Sequence, residues 1–351
     1  MEWIAGFWVG ALRHGGGYHL WELAQRVGGM QVLEEQGRDA LLAAGVAAET
    51  AEAWAKAFPA RTCGTAITMA DPRYPRRMLA LPEAPPVLCI EGNVDALSGP
   101  AWGVVGTRAC TSYGASVARH LAGRLAASGA TVVSGLARGI DAHAHRAALA
   151  VGRTVAVVGH GLDHTAPASH RRLRAEIVAH DGAIVSGFLD GTEPRPFRFP
   201  QRNAWIAGLS DGVVVVEAGR RSGASITARN AVDQGREVAV VPGPLGAEQS
   251  VGCLALLRDG ARVVWDVEEF VHDVLGGAPM ARDRWLTALF EGASLDDAAR
   301  LARRPVAVLL AELSVLELEG VVDRLPGQRY APGPRAHGEV AARSGPNGSP
   351  G

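Results

Sequence analysis

The chain has 351 residues, 48% of them hydrophobic, with 35 basic and 36 acidic side chains, which suits one large core and one or two small ones. No stretch reaches the roughly 18 uninterrupted apolar residues of a membrane span, and the N-terminus lacks the basic region and apolar block of a secretory signal. The four cysteines have no CxxC spacing, which argues against a zinc knuckle or a disulfide framework. We therefore expect a cytoplasmic protein that has no membrane segment and binds no metal.

The first predicted region, residues 1–66, is a small helical domain. From Tyr18 to Phe58, apolar residues recur three and four positions apart, with glycine breaks, and this spacing indicates a helical bundle. The proline-rich stretch from Asp71 to Leu88 should be an extended connector into the next domain.

The second predicted region, residues 67–270, alternates short apolar runs with longer amphipathic ones. The strand candidates begin near residues 102, 131, 154, 183, 212, 237 and 261. Most are β-branched runs without alternation, as expected for strands that are buried on both faces. Helical patterns lie between them, including "SHRRLRAEIVAHDG", for which Ser169 is the expected N-cap. This order predicts an α/β fold with an extended Rossmann-like, doubly wound, mostly parallel sheet.

The C-terminal region is predicted to contain a linker at 271–280, a winged-helix domain at 281–332 and a disordered tail at 333–351. Three helical patterns followed by a hairpin pattern are typical of a winged helix, and a Gly, Pro, Ser and Ala tail favours disorder. The third helix carries Glu312, Glu317 and Glu319 and no basic residue, which favours a protein contact or packing over duplex DNA.

Four glycine turns follow predicted strands, at the sheet edge where open parallel sheets bind ligands. Glycines let the backbone approach an anion, the next helix points free N–H groups at it, and arginines add bidentate contacts. The candidate phosphate-binding residues of these turns are Gly106, Thr107, Arg108, Ser134, Gly135, Arg138, Gly139, Ser222, Gly223 and Ser225.

Charge points to the same part of the chain. Residues 101–250 carry 16 basic and 11 acidic side chains, so a polyanion should bind there. Neither GxxxxGK[ST] nor GxGxxG is intact. We therefore expect a ligand that bears phosphates but is not obviously a dinucleotide.

The stretch "RPFRFPQRNAWIAGLS" interleaves arginines with aromatic residues. Such alternation suits a single strand of nucleic acid, whose phosphates need charge and whose bases need flat faces. Its members are Arg195, Phe197, Arg198, Phe199, Arg202 and Trp205. Phe199 and Trp205 are equally compatible with a place in the core.

Glu217 ends a predicted strand at the ligand edge and is a candidate general base. No nucleophile or second carboxylate accompanies it at a recognisable spacing, so a role in orienting an arginine or capping a turn is favoured. Ser134, Ser222 and Ser225 lie outside any GxSxG elbow, and donation to phosphate oxygens is their simpler role.

Four histidines, at positions 143, 145, 160 and 164, raise the question of a metal site. His143 and His145 are two residues apart on a predicted helix, so they point away from one another and cannot share a metal. His145 lies one turn after Asp141, and a capping or packing pair is favoured.

Three stretches, "SGLARGIDAHAHRAAL", "FPQRNAWIAGLS" and "VVVVEAGRRSGASITARNAVDQGREVAVVPG", together resemble the DprA (Smf) DNA-processing family. The resemblance covers roughly residues 67–266. The N-terminal helices stand in the place of the family's small SAM-like domain, and residues 281–331 match its optional winged helix.

The resemblance implies a cytoplasmic, non-catalytic homodimer without a cofactor. It also implies binding of single-stranded DNA, protection of incoming strands during natural transformation, and loading of the recombinase RecA. The dimer would form through the far end of the sheet, near residues 231–262.

The family's DNA groove corresponds to specific positions of this chain. The resemblance assigns DNA contacts to Arg108 and Arg138, matches Arg202 and Asn203 to an "RN" dipeptide, and matches Ser222, Gly223 and Ser225 to an SGxS/T turn. The chain departs from the family pattern at Ala166, His160, Gly187 and Leu254, where tyrosine, a small residue, glutamate and asparagine are usual.

Two other functions compete with this interpretation. The first is a nucleotide-processing enzyme of the phosphoribohydrolase type, which has a related sheet and a glycine turn beside a glutamate. Those enzymes resemble "PGGxGTxxE", with the carboxylate after the turn, whereas Glu217 precedes its turn. The second is a structural adaptor whose winged helix and N-terminal helices bind proteins.

Overall fold

The computed structural model describes residues 2–14, 19–79, 81, 84–220, 222–275, 281–290, 292–302, 305–318, 322–325, 327 and 329–332. The chain divides into two compact units, Met1–Gly276 and Gly277–Gly351. The first contains the N-terminal helices and the large sheet, and the second contains a small helical domain with a hairpin.

Eleven strands are described in the first unit. They are β1 (Glu2–Ile4), β2 (Ala60–Thr62), β3 (Thr65–Thr68), β4 (Val87–Gly92), β5 (Ala101–Val105), β6 (Thr131–Ser134), β7 (Thr154–Val158), β8 (Ala183–Ser186), β9 (Gly212–Val215), β10 (Glu237–Val240) and β11 (Arg262–Val263). Strands β1 and β2 form an antiparallel pair, and the other nine form one sheet in the order β11-β10-β9-β5-β6-β7-β8-β4-β3.

Thirteen α-helices are described in the same unit. They are α1 (Gly6–His14), α2 (Leu20–Val27), α3 (Met30–Gln36), α4 (Arg38–Ala43), α5 (Ala48–Ala55), α6 (Arg76–Leu79), α7 (Ser112–Ala127), α8 (Ile140–Leu149), α9 (Arg171–Ala179), α10 (Arg198–Gly208), α11 (Gly223–Asp233), α12 (Val251–Arg258) and α13 (Val267–Leu275). No helix in the described part of the chain combines the length and apolarity of a membrane span.

The predicted fold class is confirmed, because all seven strand candidates are present as β5 to β11 and pair in parallel. The chain runs from β5 outward to β8, returns to β9 on the other side of β5, and continues outward to β11. The sheet therefore has a topological switch point between β5 and β9, where doubly wound folds open a crevice at the carboxyl ends of their strands.

Two local predictions were wrong. The stretch from Asp71 to Leu88 is not simply extended, because it contains α6 and the start of β4, which pairs antiparallel with β3 and β8. The prolines before this strand favoured an extended connector in the sequence analysis. Residues Val87–Ile90 are nevertheless buried in the main hydrophobic core. Ser169 is not an N-cap: it lies in a 3₁₀ turn, and α9 follows His170, which makes no side-chain capping bond.

The sheet is covered on both faces. On one face α7 and α8 pack over β5, β6 and β9 in a separate apolar cluster. On the other, α10, α11 and α12 contact the strands, and the core there is continuous with that of the N-terminal helices, so that Trp8 and Trp54 belong to the same cluster as Ile67 and Val157. Strand β3 begins at Thr65, one residue before the predicted end of the N-terminal domain, and α13 continues to Leu275, inside the predicted linker. The predicted domain boundaries at 66, 270 and 280 stay predictions.

The second unit has helices α14 (Ala281–Phe290), α15 (Leu295–Ala302) and α16 (Val306–Leu318), and an antiparallel hairpin of β12 (Val322–Leu325) and β13 (Arg329–Pro332). Its own core contains Trp285, Leu309 and Tyr330. This order confirms the predicted winged-helix domain. Glu317 is exposed on α16, whereas the side chain of Glu312, all of Glu319 and the predicted tail lie outside the described residues.

Candidate functional site

The loops that follow β5, β6 and β9 are bonded to one another, because these strands are neighbours in the sheet. The amide of Thr107 donates to the carbonyl of Glu217 at 2.7 Å, and the amide of Ile140 donates to the carbonyl of Thr107 at 3.2 Å. The Glu217 carboxylate accepts from the amide and the hydroxyl of Thr111, at 2.9 and 2.5 Å. Glu217 therefore fixes the turn between β5 and α7, as the capping interpretation expected.

Gly139 allows the second loop to lie directly on the first. Its φ is +75°, in the left-handed region, and a Cβ placed there would be 2.3 Å from the Thr107 carbonyl oxygen. A larger residue would be strained by its backbone and would also clash with the turn that carries Arg108. Gly139 is thus a positioning residue.

A cleft of about 510 Å³ opens at these loops, at the switch point of the sheet. Helix α10 supplies its opposite wall and the N-terminus of α11 supplies its end. Seven of the predicted binding residues line it: Gly106, Thr107, Arg108, Arg202, Asn203, Ser222 and Gly223.

Two guanidinium groups share one aromatic ring in this cleft. The Cζ atoms of Arg108 and Arg202 lie 5.3 and 5.6 Å from the centroid of Phe199, within the range of cation–π contacts. Arg108 is exposed and pairs with no carboxylate among the described residues. The ring and both cations therefore face a common space.

Arg202 is only 4% exposed, and its Nε has no hydrogen-bond partner among the described residues. Its guanidinium lies against Gly135, where a Cβ would be 1.5 Å from Nη1. Burial lowers the pKa of Arg202 to about 10. The positive charge of Arg108 lowers this pKa further, whereas the carboxylate of Asp141 raises it. A charged group held this way is poised to receive an anion.

Asp141 is the anionic partner beneath this arginine. Its Oδ2 accepts from the amides of Gly135 and Ala137, at 3.1 and 3.3 Å. Burial raises the pKa of Asp141, and Arg202 and these amides oppose that rise. Asp141 and His145 both cap backbone amides of this loop, Gly135 and Ala137 in the first case and Leu136 in the second, which agrees with the capping role that the sequence favoured over metal binding.

Two histidines hold the Leu136 backbone in an unusual conformation. Leu136 has a φ of +56°; its amide donates to Nε2 of His145 at 3.3 Å, and its carbonyl accepts from Nδ1 of His170 at 2.9 Å. Nδ1 of His145 contacts the Thr154 hydroxyl at 2.7 Å, and that hydroxyl donates to a carbonyl of β6. Burial lowers the pKa of His145 to about 3, so the ring is neutral.

The N-terminus of α11 is tied to α10. The Ser222 hydroxyl accepts from the amide of Ala224 at 3.2 Å as an N-cap, and Nδ2 of Asn203 donates to the Gly223 carbonyl at 3.1 Å. Together they orient the first turn of the 11-residue helix α11 at the end of the cleft.

Several predicted residues lie elsewhere. Ser134 is fully buried and donates to the Val104 carbonyl at 2.7 Å, so its hydroxyl cannot serve a phosphate. The Gly135 amide is occupied by Asp141. Arg138 is exposed beside the cleft without lining it. Arg198 lines a separate recess, and Ser225 lines another cleft with Arg220 and Arg229.

The aromatic alternatives left open by the sequence are now resolved. Trp205 is buried in the core, whereas Phe199 lines the cleft. The sequence patterns did not assign a binding role to the remaining wall residues, which are Val105, Ala137, Asp141, Pro196, Pro200, Ile206, Ala224, Ile226 and Thr227. Most of them are apolar and carry no functional signal, and only Pro196, Pro200 and Ile206 could have been indicated by their position around "FPQRN".

The site has the features of a binding surface. Glu217 is buried, and each of its carboxylate oxygens accepts a hydrogen bond from Thr111, so this carboxylate caps the turn between β5 and α7. His143 lies 3.3 Å from an Arg119 nitrogen while His145 faces the core. Within the described ranges, no three His, Cys, Asp or Glu side chains form a metal-binding group.

Comparison with known proteins identifies relatives over most of the chain. The family model described as DNA recombination-mediator protein A matches residues 65–275, and the DprA winged helix domain matches residues 286–328. Protein Smf of Escherichia coli is 38% identical over 275 residues, which is 72% of this chain and 74% of that protein.

Two solved structures are similar as well. The structure of DNA processing protein A from Streptococcus pneumoniae superposes with a TM-score of 0.65 at 32% identity, over 77% of this chain and 97% of that one. The Helicobacter pylori protein, whose structure is described as showing a single-stranded DNA binding mode, has a TM-score of 0.56 at 28% identity, over 62% and 98%.

Proposed function

Because the chain belongs to the DNA recombination-mediator protein A (DprA/Smf) family, we propose that it binds single-stranded DNA in the cleft between β5 and β9. The observation that carries the proposal is the shared contact of Arg108 and Arg202 with Phe199. The planar guanidinium groups can contact phosphates, and the aromatic ring can stack on a base. Neither contact depends on the base sequence. The single-stranded DNA binding described for the Helicobacter pylori relative supports the same ligand.

We infer a binding role without catalysis. The competing function, nucleotide hydrolysis of the phosphoribohydrolase type, needs a carboxylate free to act on substrate. Glu217 is an acidic residue at the carboxyl ends of the strands, where such an enzyme would bind its substrate, and its carboxylate accepts hydrogen bonds from Thr111. Asp141 lines the cleft but accepts two backbone amides beside Arg202.

Titration of the protein with fluorescent oligothymidylate across a salt series tests this function. Affinity for the single strand should fall steeply with salt, because phosphate contacts release counterions. Incubation with nucleoside monophosphates should release neither free base nor ribose phosphate. Salt-independent binding, or product release that Glu217→Gln abolishes, would favour the enzyme instead.

The cellular role we propose is that of a cytoplasmic mediator that protects incoming strands during natural transformation and loads RecA onto them. Family membership supports this role. Addition of the protein should shorten the lag before recombinase filaments assemble on single-stranded DNA. An unchanged lag, with DNA binding intact, would separate the binding function from recombinase loading.

We further propose a homodimer formed through the sheet end at β10 and β11. Support comes from β11, an edge strand that leaves Val263 exposed, from exposed Trp265 two residues later, and from exposed Val232 on α11, a helix that contacts β10. Sedimentation should give a dimer mass for the natural chain and a monomer mass for Trp265→Asp. A monomeric natural chain would contradict the proposal.

A further inference from the structure

A second recess adjoins the first turn of α10 and shares no lining residue with the cleft. It encloses about 450 Å³, between the end of α1, the segment 187–192 and α10. The α10 segment contributes Phe197, Arg198 and Gln201 to the recess, and Pro196, Phe199, Pro200, Arg202 and Asn203 to the cleft. The start of α10 is therefore a ridge between two openings.

The recess has an aromatic surface with a stacked cation. Cζ of Arg198 lies 5.0 Å from the centroid of Phe197 and 5.8 Å from that of Phe188. Arg198 also donates to the Glu193 carbonyl, which fixes its position. Phe197 is 69% exposed, which leaves its ring accessible to a ligand. A phenylalanine ring beside a guanidinium group is also what Phe199 and Arg108 form in the cleft.

The charge of the recess favours a phosphate. Arg13 comes from the last turn of α1 and Arg198 from α10, and neither pairs with a carboxylate in the described part of the chain. The acidic residue that lines the recess, Asp190, accepts from the backbone amides of Leu162 and Cys63, at 3.1 and 2.5 Å. These two backbone N–H groups offset part of its negative charge.

Gly187 leaves the floor of the recess without a side chain. A Cβ at this position would lie 2.6 Å from Cβ of Pro85 and 2.6 Å from the Trp205 ring, so no larger residue fits. The backbone at this position therefore packs directly on the core tryptophan.

We propose that this recess is a second subsite for the same single strand of DNA. It holds a nucleotide beyond those in the cleft, with its base on Phe197 and its phosphate at Arg13 and Arg198. The inference rests on the proposed function and extends the DNA path over α10 to the N-terminal helices. Stacking on aromatic rings and arginine contacts to phosphates are the interactions that ligands of this kind use.

Oligothymidylates of increasing length test the subsite, with Phe197→Ala and Arg13→Ala as variants. Phe197→Ala should weaken binding of long oligonucleotides by about fivefold or more, the effect of losing one stacked base. Arg13→Ala should lower the magnitude of their salt slope by about 0.7. Both variants should bind the shortest oligonucleotides that the natural chain still binds with unchanged affinity, because such oligonucleotides occupy only the cleft and do not reach the recess.

Two surface variants serve as controls. Phe58 is 82% exposed and does not line the recess, so Phe58→Ala removes an exposed phenylalanine elsewhere. Arg172, on α9, is 91% exposed, and Arg172→Ala removes a surface cation. Neither control should change the length dependence.

Photo-cross-linking with oligonucleotides that carry 5-iododeoxyuridine gives an independent readout. Tryptic cleavage after Arg198 separates the peptide of Phe197 from that of Phe199. We expect cross-links to both peptides with long oligonucleotides. Cross-links to Phe199 alone, or unchanged affinity of both variants for long oligonucleotides, would overturn the subsite. Failure of the natural chain to bind any single strand would instead contradict the proposed function itself.

Discussion

The guanidinium carbon of Arg108 lies 5.3 Å from the centroid of the Phe199 ring, which joins the turn after β5 to helix α10. The two residues are 91 positions apart in the chain. Since a cation over a ring is a modest interaction, on the order of 0.5–1 kcal/mol when exposed, a DNA strand can replace it. We expect the arginine to move to a phosphate while a base takes the ring.

Arg108→Ala should weaken single-stranded DNA binding to a similar extent for all sequences, because a phosphate contact carries no sequence information. The salt slope measured by fluorescence anisotropy should fall in magnitude by about 0.7. Arg172→Ala, on the exposed face of α9, is the matched control. An unchanged slope in Arg108→Ala would remove the turn after β5 from the DNA path.

Gly139→Ala should impair both stability and DNA binding, because the new Cβ clashes with the Thr107 carbonyl oxygen and displaces the neighbouring Arg108. Gly235→Ala is the control: its φ is also positive, at +66°, but no atom lies within 4 Å of the added Cβ. The control should lose about 1–2 kcal/mol of unfolding free energy from backbone strain alone. Chemical denaturation and oligothymidylate titration of both variants measure the difference, and equal effects would contradict the role of Gly139.

Arg202→Met should lower the free energy of unfolding by about 3–5 kcal/mol, because it leaves Asp141 buried without its cation. Asp141→Asn in the same chain should recover part of this loss, since the uncompensated charge is then gone. Denaturant titrations of the single and double variants give the coupling energy. Additive losses would show that the two side chains do not interact.

Acid should destabilise the protein through His145. Its pKa is about 3 in the folded protein against an ordinary value of 6.5, so the unfolded chain binds more protons between those values. The contribution of His145 to the free energy of unfolding should therefore be constant above about pH 6.5 and fall below it, by up to about 1.4 kcal/mol per pH unit.

His145→Gln should flatten the pH dependence of unfolding between about pH 4 and 6.5, because the substituted side chain does not titrate. Burial raises the pKa of Asp141, which acts in the opposite direction, so the informative quantity is the difference between the two chains. His272→Gln, on the exposed side of α13, controls for the loss of a surface histidine. An identical pH dependence in His145→Gln and the natural chain would contradict the assignment.

The sequence alone determined the sheet and the edge at which the candidate site lies. A strand buried on both faces is mostly apolar, so the runs of β5 to β9, whose residues are all buried, were visible without any contact information. The partly exposed strands β10 and β11 were visible from their β-branched residues. Glycine turns are similarly local, because the backbone conformation at Gly139 and the N-cap at Ser222 depend on residues within a few positions. The family resemblance rests on the same local stretches.

Tertiary structure decided which of those residues meet. Arg198 and Arg202 are one helical turn apart, yet Arg198 turns to Phe188 and Phe197 whereas Arg202 packs on Gly135. A long side chain takes its direction from partners distant in sequence, which spacing cannot reveal. The antiparallel strand β4 was not predicted for the same reason, since its pairing with β8 joins residues that are 91 to 97 positions apart.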